Sequence, residues 1–200
     1  MAPELIVWDF DGVLNRNVMD GRFVWADKLD VDHGLSRDSL QQFIFHSGRI
    51  AKIMRGQEDL RDVVAEWLDR ENAGIGSDEL LAYWFAKDSL TDNAVLQSLL
   101  THPARQVIGT NNEARRAAYI ETDMGFGQVV EAVFASGRMG VAKPDPAFFE
   151  SITDWAGVSP AATLLVDDSE KNVIAAHELG WQTFHFTDET RPNLHTVLYP

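Results

Sequence analysis

The chain has 200 residues, 45% hydrophobic and 24% charged, which is ordinary globular usage with room for a sizeable core. Its formal net charge is −14 with no Lys/Arg-rich run, which argues against nucleic acid or an anionic membrane as partner. Cysteine is absent, so disulfides, thiolate catalysis and cysteine-ligated metals are excluded.

The first apolar run, "LIVWD" (5–9), reads as a buried strand that ends on Asp9. Asp11 follows two positions later, and period-two alternation puts both carboxylates on one face. Two carboxylates about 4 Å apart repel by roughly 4 kcal/mol at an effective dielectric near 20, so the pair asks for compensation. The plain alternative is a turn, since Asp11-Gly12 is a turn dipeptide. Asp9 and Asp11 also break the run too early for a secretory signal, and no run has the length of a membrane span. A soluble cytoplasmic protein is the expectation.

From about 16 to 90 no parallel-sheet strand is evident. "VMDGRFVW" (18–25) suggests a small hairpin turning at Asp20-Gly21. "HSGRIAKIMRGQ" (46–57) is the most basic stretch, with Arg49, Lys52 and Arg55. It reads first as a solvated helix face, and second as a source of one cation for a bound ligand. In 57–71, Leu60, Val63, Val64, Trp67 and Leu68 recur with helical spacing, and Leu80, Leu81, Trp84 and Phe85 do so in 78–87. These stripes predict helix-packing core. The region reads as a helical insert, 16–90, interrupting a core made of 1–15 and 91–200.

Four more strand patterns follow: "RQVIGTNN" (105–112), "VVEAVFAS" (129–136), "ATLLVDDS" (162–169) and "WQTFHF" (181–186). Helical patterns occupy about 112–123, 146–156 and 170–179, the last stopped by Gly180. Strand alternating with helix predicts an α/β fold, a parallel sheet with helices on both faces. Ligands of such sheets bind at the carboxyl ends of the strands.

Each polar strand end also has a local explanation. "TNNE" (110–113) fits a capping box with Thr110 as N-cap, and Asp145-Pro146 fits a helix start beside a solvated Lys143. "DDSEKN" (167–172) fits capping as well. Taken together, however, the strand ends would gather Asp9, Asp11, Asp167 and Asp168 beside Thr110 and Lys143. So many carboxylates need a cation, and an all-oxygen donor set suits Mg²⁺. Lys143 and Thr110 would complete an anion site next to it, which a phosphoryl group satisfies. The six histidines have no ligand spacing, and "GFGQ" (125–128) is too short to signal a nucleotide site.

In order, "IVWDFDGVL" (6–14), "VIGTN" (107–111), "KPDP" (143–146) and "LLVDDSEKNVIAAHELG" (164–180) resemble the four motifs of the haloacid dehalogenase superfamily of phosphohydrolases. The last two look closest to the branch that holds glucose-1-phosphate phosphatases and the N-terminal domain of soluble epoxide hydrolases. The resemblance implies a Rossmann-like core with a helical cap at 16–90. It implies a Mg²⁺-dependent phosphatase acting on a small-molecule phosphate ester through an aspartyl-phosphate. Asp9 would be the nucleophile and a metal ligand, and Asp11 the general acid and base, its backbone carbonyl also binding metal. Thr110 and Lys143 would hold the phosphoryl oxygens. Asp168 would be the main further metal ligand, with Asp167 a ligand directly or through water. Asn111 would touch phosphate through side chain or backbone, and Asn172 would brace the fourth loop. A phosphomutase of the β-phosphoglucomutase type shares these motifs. A catalytically silent binding protein is disfavoured because no motif residue is lost. Asp11 and the 167–168 pair favour phosphoryl transfer over carbon–halogen hydrolysis, since the metal-free dehalogenases lack an acid at the Asp11 position.

Overall fold

The computed structural model describes residues 2–19 and 22–200. Its strands are β1 (Leu5–Trp8), β2 (Val18–Met19), β3 (Arg22–Phe23), β4 (Arg105–Thr110), β5 (Ala132–Ala135), β6 (Thr163–Asp167) and β7 (Gln182–His185). Five of them form one parallel sheet in the order β5-β4-β1-β6-β7. This is the expected Rossmann-like α/β fold. β1 lies at the centre, and successive crossovers run outward from it in both directions. The carboxyl end of β1 is therefore where the topology opens a crevice.

The faces of the sheet separate by residue parity, as alternation requires. Ile6, Trp8, Ile108, Leu164 and Val166 pack with Val95, Leu99, Ile120, Leu194 and Leu198. Leu5, Val7, Val107 and Leu165 pack with Phe148, Phe149, Ile152 and Ala176 on the other side. Helices Asn93–Thr101, Ala114–Thr122 and Leu194–Leu198 cover the first face, and Pro146–Ala156 and Glu170–Glu178 the second. The first and third of these five have no counterpart among the expected elements. Helix Pro146–Ala156 starts as the sequence suggests, with Asp145 accepting the Ala147 N–H and proline at the first position.

The buried residues of a third core all lie between Trp25 and Phe85, with Tyr119 packed against them. Helices Leu60–Glu71 and Ser77–Lys87 supply most of it, and Leu60, Val63, Val64, Trp67, Leu68, Leu80, Leu81 and Phe85 are all buried. β2 and β3 pair antiparallel, Val18 opposite Phe23, while the Asp20-Gly21 turn lies outside the described residues. The chain leaves and re-enters the sheet side by side. Arg16 N–H donates to the Leu90 carbonyl and Asp92 N–H to the Leu14 carbonyl. Among the described residues, no helix is long and apolar enough to cross a membrane.

Candidate active site

β1 delivers Asp9 to the crevice, where the Asp9 N–H still donates to the Val166 carbonyl of β6. Lys143 reaches the same point from the loop before helix Pro146–Ala156. Its Nζ lies 2.9 Å from Asp9 Oδ1 and donates to Asp167 Oδ2 at 2.6 Å. Lys143 is 4% exposed and Asp167 not at all. Asp167 Oδ1 accepts from the Ser169 N–H and from Asn172 Nδ2, both at 2.9 Å. Both Asp167 oxygens thus have protein partners, and its observed work is to position the lysine. Asn172 braces the loop, as expected.

Burial alone would lower the Lys143 ammonium's pKa; Asp167 and Asp9 reverse that and raise it, so the group stays charged. Burial first, then the Asp167 charge, pushes Asp9 well above the usual carboxylate range, against the pull of Lys143. Asp168, half-buried, is pushed up to about 6 by burial and then by Asp167.

Asp9, Asp167 and Asp168 each offer an oxygen, and these oxygens lie within 4.8 Å of one another. One lysine does not neutralise three carboxylates at such range, and that imbalance adds to burial in raising Asp9 and Asp168. The donors are oxygen only. The residues therefore fit a hard divalent cation of the Mg²⁺ type. Gly12 makes room for the arrangement. Its φ is +84°, and a Cβ there would stand 2.2 Å from Asp168 Oδ2.

Asp11 departs from the period-two expectation. β1 stops at Trp8, and a turn follows in which the Val13 and Asn15 N–H groups both donate to the Phe10 carbonyl. Alternation does not survive a turn, so the three carboxylates that converge are Asp9, Asp167 and Asp168, while the Asp11 charge still acts on Asp168 from beside them. Three amides hold Asp11. Asn17 donates to Oδ1 at 2.8 Å and Asn15 at 3.2 Å, while Asn112 donates to Oδ2 at 2.8 Å.

Those amides lead onward to groups that sequence reasoning missed. Asn17 Nδ2 also donates to Asp88 Oδ1 at 2.9 Å, and Asn15 Nδ2 to the Asp88 carbonyl at 2.7 Å. Asp88 faces Arg116, the two side chains only 6% and 4% exposed. Arg116 donates to the Phe85 and Asp88 carbonyls, and its guanidinium lies near the Phe10, Phe85 and Tyr119 rings. Burial, then the Asp11 charge, pushes Asp88 up to about 7, with Arg116 and Asn17 opposing. No spacing rule marks a lone Asp, Asn or Arg for such a role. Arg116 sits in a helix whose pattern leaves arginines on the outside by default.

Thr110 closes β4 and is buried, and Asn112 Nδ2 donates to its Oγ1 at 2.8 Å. It is not the helix cap. Glu113 caps helix Ala114–Thr122 by accepting the Arg115 and Arg116 N–H groups, so the helix starts later than the capping-box match implied. Asn111 spends its side chain on Lys143, donating to the backbone carbonyl at 2.8 Å and accepting the N–H at 2.9 Å. Its amide fixes the lysine loop.

The basic stretch 46–57 follows its plainer reading. Arg49 bonds Glu58 and Glu66, Lys52 bonds Glu58, and Arg55 donates to the Ala51 carbonyl. The pocket between the helical segment and the sheet edge is lined instead by Ile50, Ile53 and Met54 from this stretch, with Phe45 and Trp84, above Asp11, Asn111 and Asn112.

A family model for haloacid dehalogenase-like hydrolases matches residues 3–180. The sesquiterpene phosphatase astK of Aspergillus oryzae is 41% identical over 58 residues, which are 29% of this chain and 30% of that protein. Phosphoglycolate phosphatase 1 of Pseudomonas aeruginosa is 22% identical over 188 residues, 89% of this chain and 67% of that one. Among solved structures, the HAD family enzyme bt-2542 of Bacteroides thetaiotaomicron superposes with TM-score 0.78 at 18% identity, covering 96% of this chain and 98% of that one. The same enzyme is known in complex with magnesium and inorganic phosphate, where the TM-score is 0.74 at 19% identity over 93% and 95% of the chains. The L-2-haloacid dehalogenase of Xanthobacter autotrophicus shares the fold with TM-score 0.66 at 17% identity over 97% and 82%.

Proposed function

The chain belongs to the haloacid dehalogenase-like hydrolases, and from that premise we propose a Mg²⁺-dependent phosphatase that hydrolyses a small phosphorylated metabolite through an aspartyl-phosphate on Asp9. One observation carries the reading. A buried lysine pins one oxygen of Asp9 at 2.9 Å, while Asp11 is held apart from the carboxylate cluster by three amides. The two acids are thereby given different environments and different work.

In the first step the free oxygen of Asp9 attacks phosphorus and the bond to the ester oxygen breaks. Asp11 gives its proton to that departing oxygen, which leaves as the alcohol. In the second step Asp11 takes a proton from water as the water oxygen bonds to phosphorus. The bond to Asp9 breaks, inorganic phosphate leaves, and both carboxylates return to their starting states. Lys143 and the Thr110 hydroxyl face the charge on the phosphoryl oxygens throughout. Asp9, Asp168 and the Asp11 carbonyl would hold the metal, with Asp167 assisting directly or through water. Bound there, Mg²⁺ supplies further charge neutralisation at the phosphoryl group. The helical segment 16–90 acts as a cap that keeps water and bulky substrates away during the first step.

The fold is shared with a dehalogenase, so the choice of reaction rests on Asp11, whose proton a departing ester oxygen needs and a halide does not. The names of two relatives, a sesquiterpene phosphatase and a phosphoglycolate phosphatase, support phosphoryl chemistry and leave the substrate open. The test is a panel of phosphate esters assayed with Mg²⁺ and with chelator. Inorganic phosphate should appear only with the metal. An isomerised sugar phosphate would indicate a mutase instead, and failure on every ester alongside halide release from a haloacid would overturn the reading.

A further inference from the structure

The pocket over Asp11 is unlike a site for a sugar or a carboxylate. Its wall toward the helical segment is made of apolar side chains: Phe45, Ile50, Ile53, Met54 and Trp84. Trp84 is fixed by stacking on Trp25, ring centroids 4.2 Å apart and planes within 16°. The polar groups on the floor are already engaged. Glu113 accepts two backbone N–H groups of its own helix, Asn111 grips the Lys143 backbone, and Asn112 donates to Asp11 and Thr110. Arg116 is the one cation among the described lining residues, and it is held by Asp88 and two carbonyls. Of the basic side chains of the segment, Arg49 and Lys52 pair with Glu58 and Glu66, Arg55 donates to the Ala51 carbonyl, and none of the three lines the pocket.

A polyol in this space would give up water for few partners, and a carboxylate would meet Asp11, Asp88 and Glu113. A hydrocarbon group would instead gain from every wall contact. Because Asp11 lines the same pocket, whatever fills it is joined to the ester oxygen that Asp11 serves. Resting on the phosphatase reading, we propose that the substrate is the phosphate monoester of an apolar alcohol, an aryl-alkyl or branched hydrocarbon chain without charge or multiple hydroxyls.

The experiment compares primary-alcohol esters, so that the reactivity of the departing oxygen is alike. With Mg²⁺ present, kcat/KM is measured for 3-phenylpropyl phosphate, glycerol 3-phosphate, glucose 6-phosphate and phosphoglycolate. The expected result is a preference of at least about 100-fold for the phenylpropyl ester, since pocket contacts of a few methylenes reach that size. Met54→Glu should reduce the phenylpropyl-to-glycerol ratio at least tenfold, mainly through KM. Ile50→Asn, one helical turn away on the same face, should act in the same direction and guards against a folding failure of the first variant. Equal or better use of glycerol 3-phosphate, glucose 6-phosphate or phosphoglycolate would overturn the apolar assignment and leave the phosphatase standing. An unchanged ratio in both variants would also overturn it. Inactivity toward all four esters and toward 4-nitrophenyl phosphate would remove the phosphatase and this inference together.

Discussion

The sheet edge and the helical segment above it handle charge in opposite ways. At the edge, Asp9, Lys143 and Asp167 are buried with Asp168 beside them, three carboxylates to one ammonium. Between Val24 and Lys87, no charged side chain among the described residues is buried. There the charges pair at the surface, as Arg61 does with Asp78 and Arg70 with Glu66, around an interior of aliphatic and aromatic groups. An interior of the second kind stabilises itself. One of the first kind is a poor bargain for stability, and such imbalance marks a place where a ligand is expected. The two regions meet at Asp88 and Arg116, a buried pair that touches the amides holding Asp11.

The largest effect should come from removing the charge that balances the edge. Lys143→Met leaves Asp9 and Asp167 facing each other, should cost about 3–5 kcal/mol in urea unfolding, and should abolish phosphate release. A variant as stable as the parent would show that the edge does not depend on this ammonium.

Next is the junction. Asp88 is raised to about 7 from an ordinary 3.8, so between those pH values the folded chain binds a proton that the unfolded chain has lost. Stability contributed by the protonated group is present at low pH and is lost as pH rises from about 4 to about 7. The slope should amount to about 1–4 kcal/mol across that window, and Asp88→Asn should flatten it. Thermal unfolding at a series of pH values measures it; an identical slope in the variant would mean that Asp88 is ionised throughout.

Asn17→Ala removes one of the three amides on Asp11 and its link to Asp88. It should cost about 1–2 kcal/mol of stability and lower kcat roughly tenfold, with a shifted pH profile for kcat that a purely structural loss would not produce. The smallest effect belongs to the surface of the helical segment. Arg49→Ala breaks two half-buried ion pairs and should change stability by at most about 1 kcal/mol, with kcat/KM unaltered. A large loss of kcat/KM would return Arg49 to the substrate.

The contrast between the regions also explains what was legible in the sequence. The three inner strands of the sheet announce themselves most plainly, because β1, β4 and β6 are buried apolar runs that end in polar residues. That pattern also points Asp9, Thr110, Asp167 and Asp168 to one edge, which Lys143 joins from the loop before helix Pro146–Ala156. The helical stripes are equally plain, yet periodicity does not tell that Trp84 faces a pocket while Phe85, its neighbour, is buried in the core. Alternation ends with β1 at Trp8, so it does not fix where the Asp11 side chain points. Thr110 matched a capping box whose geometry Glu113 supplies instead. The network of Asn15, Asn17, Asn112, Asp88 and Arg116 is assembled by two chain crossings far apart in sequence, and single polar residues carry no period that would reveal it.

The central claim is a division of work between two carboxylates, and a burst experiment on Asp11→Asn tests it most directly. With Mg²⁺ and 4-nitrophenyl phosphate, whose departing oxygen needs no proton, the variant should release a single equivalent of nitrophenol quickly and then slow sharply. Peptide mapping after acid quench should find the phosphoryl group on Asp9. A steady release without a burst, or a phosphoryl group on any other residue, would contradict the assignment of attack to Asp9 and of water activation to Asp11.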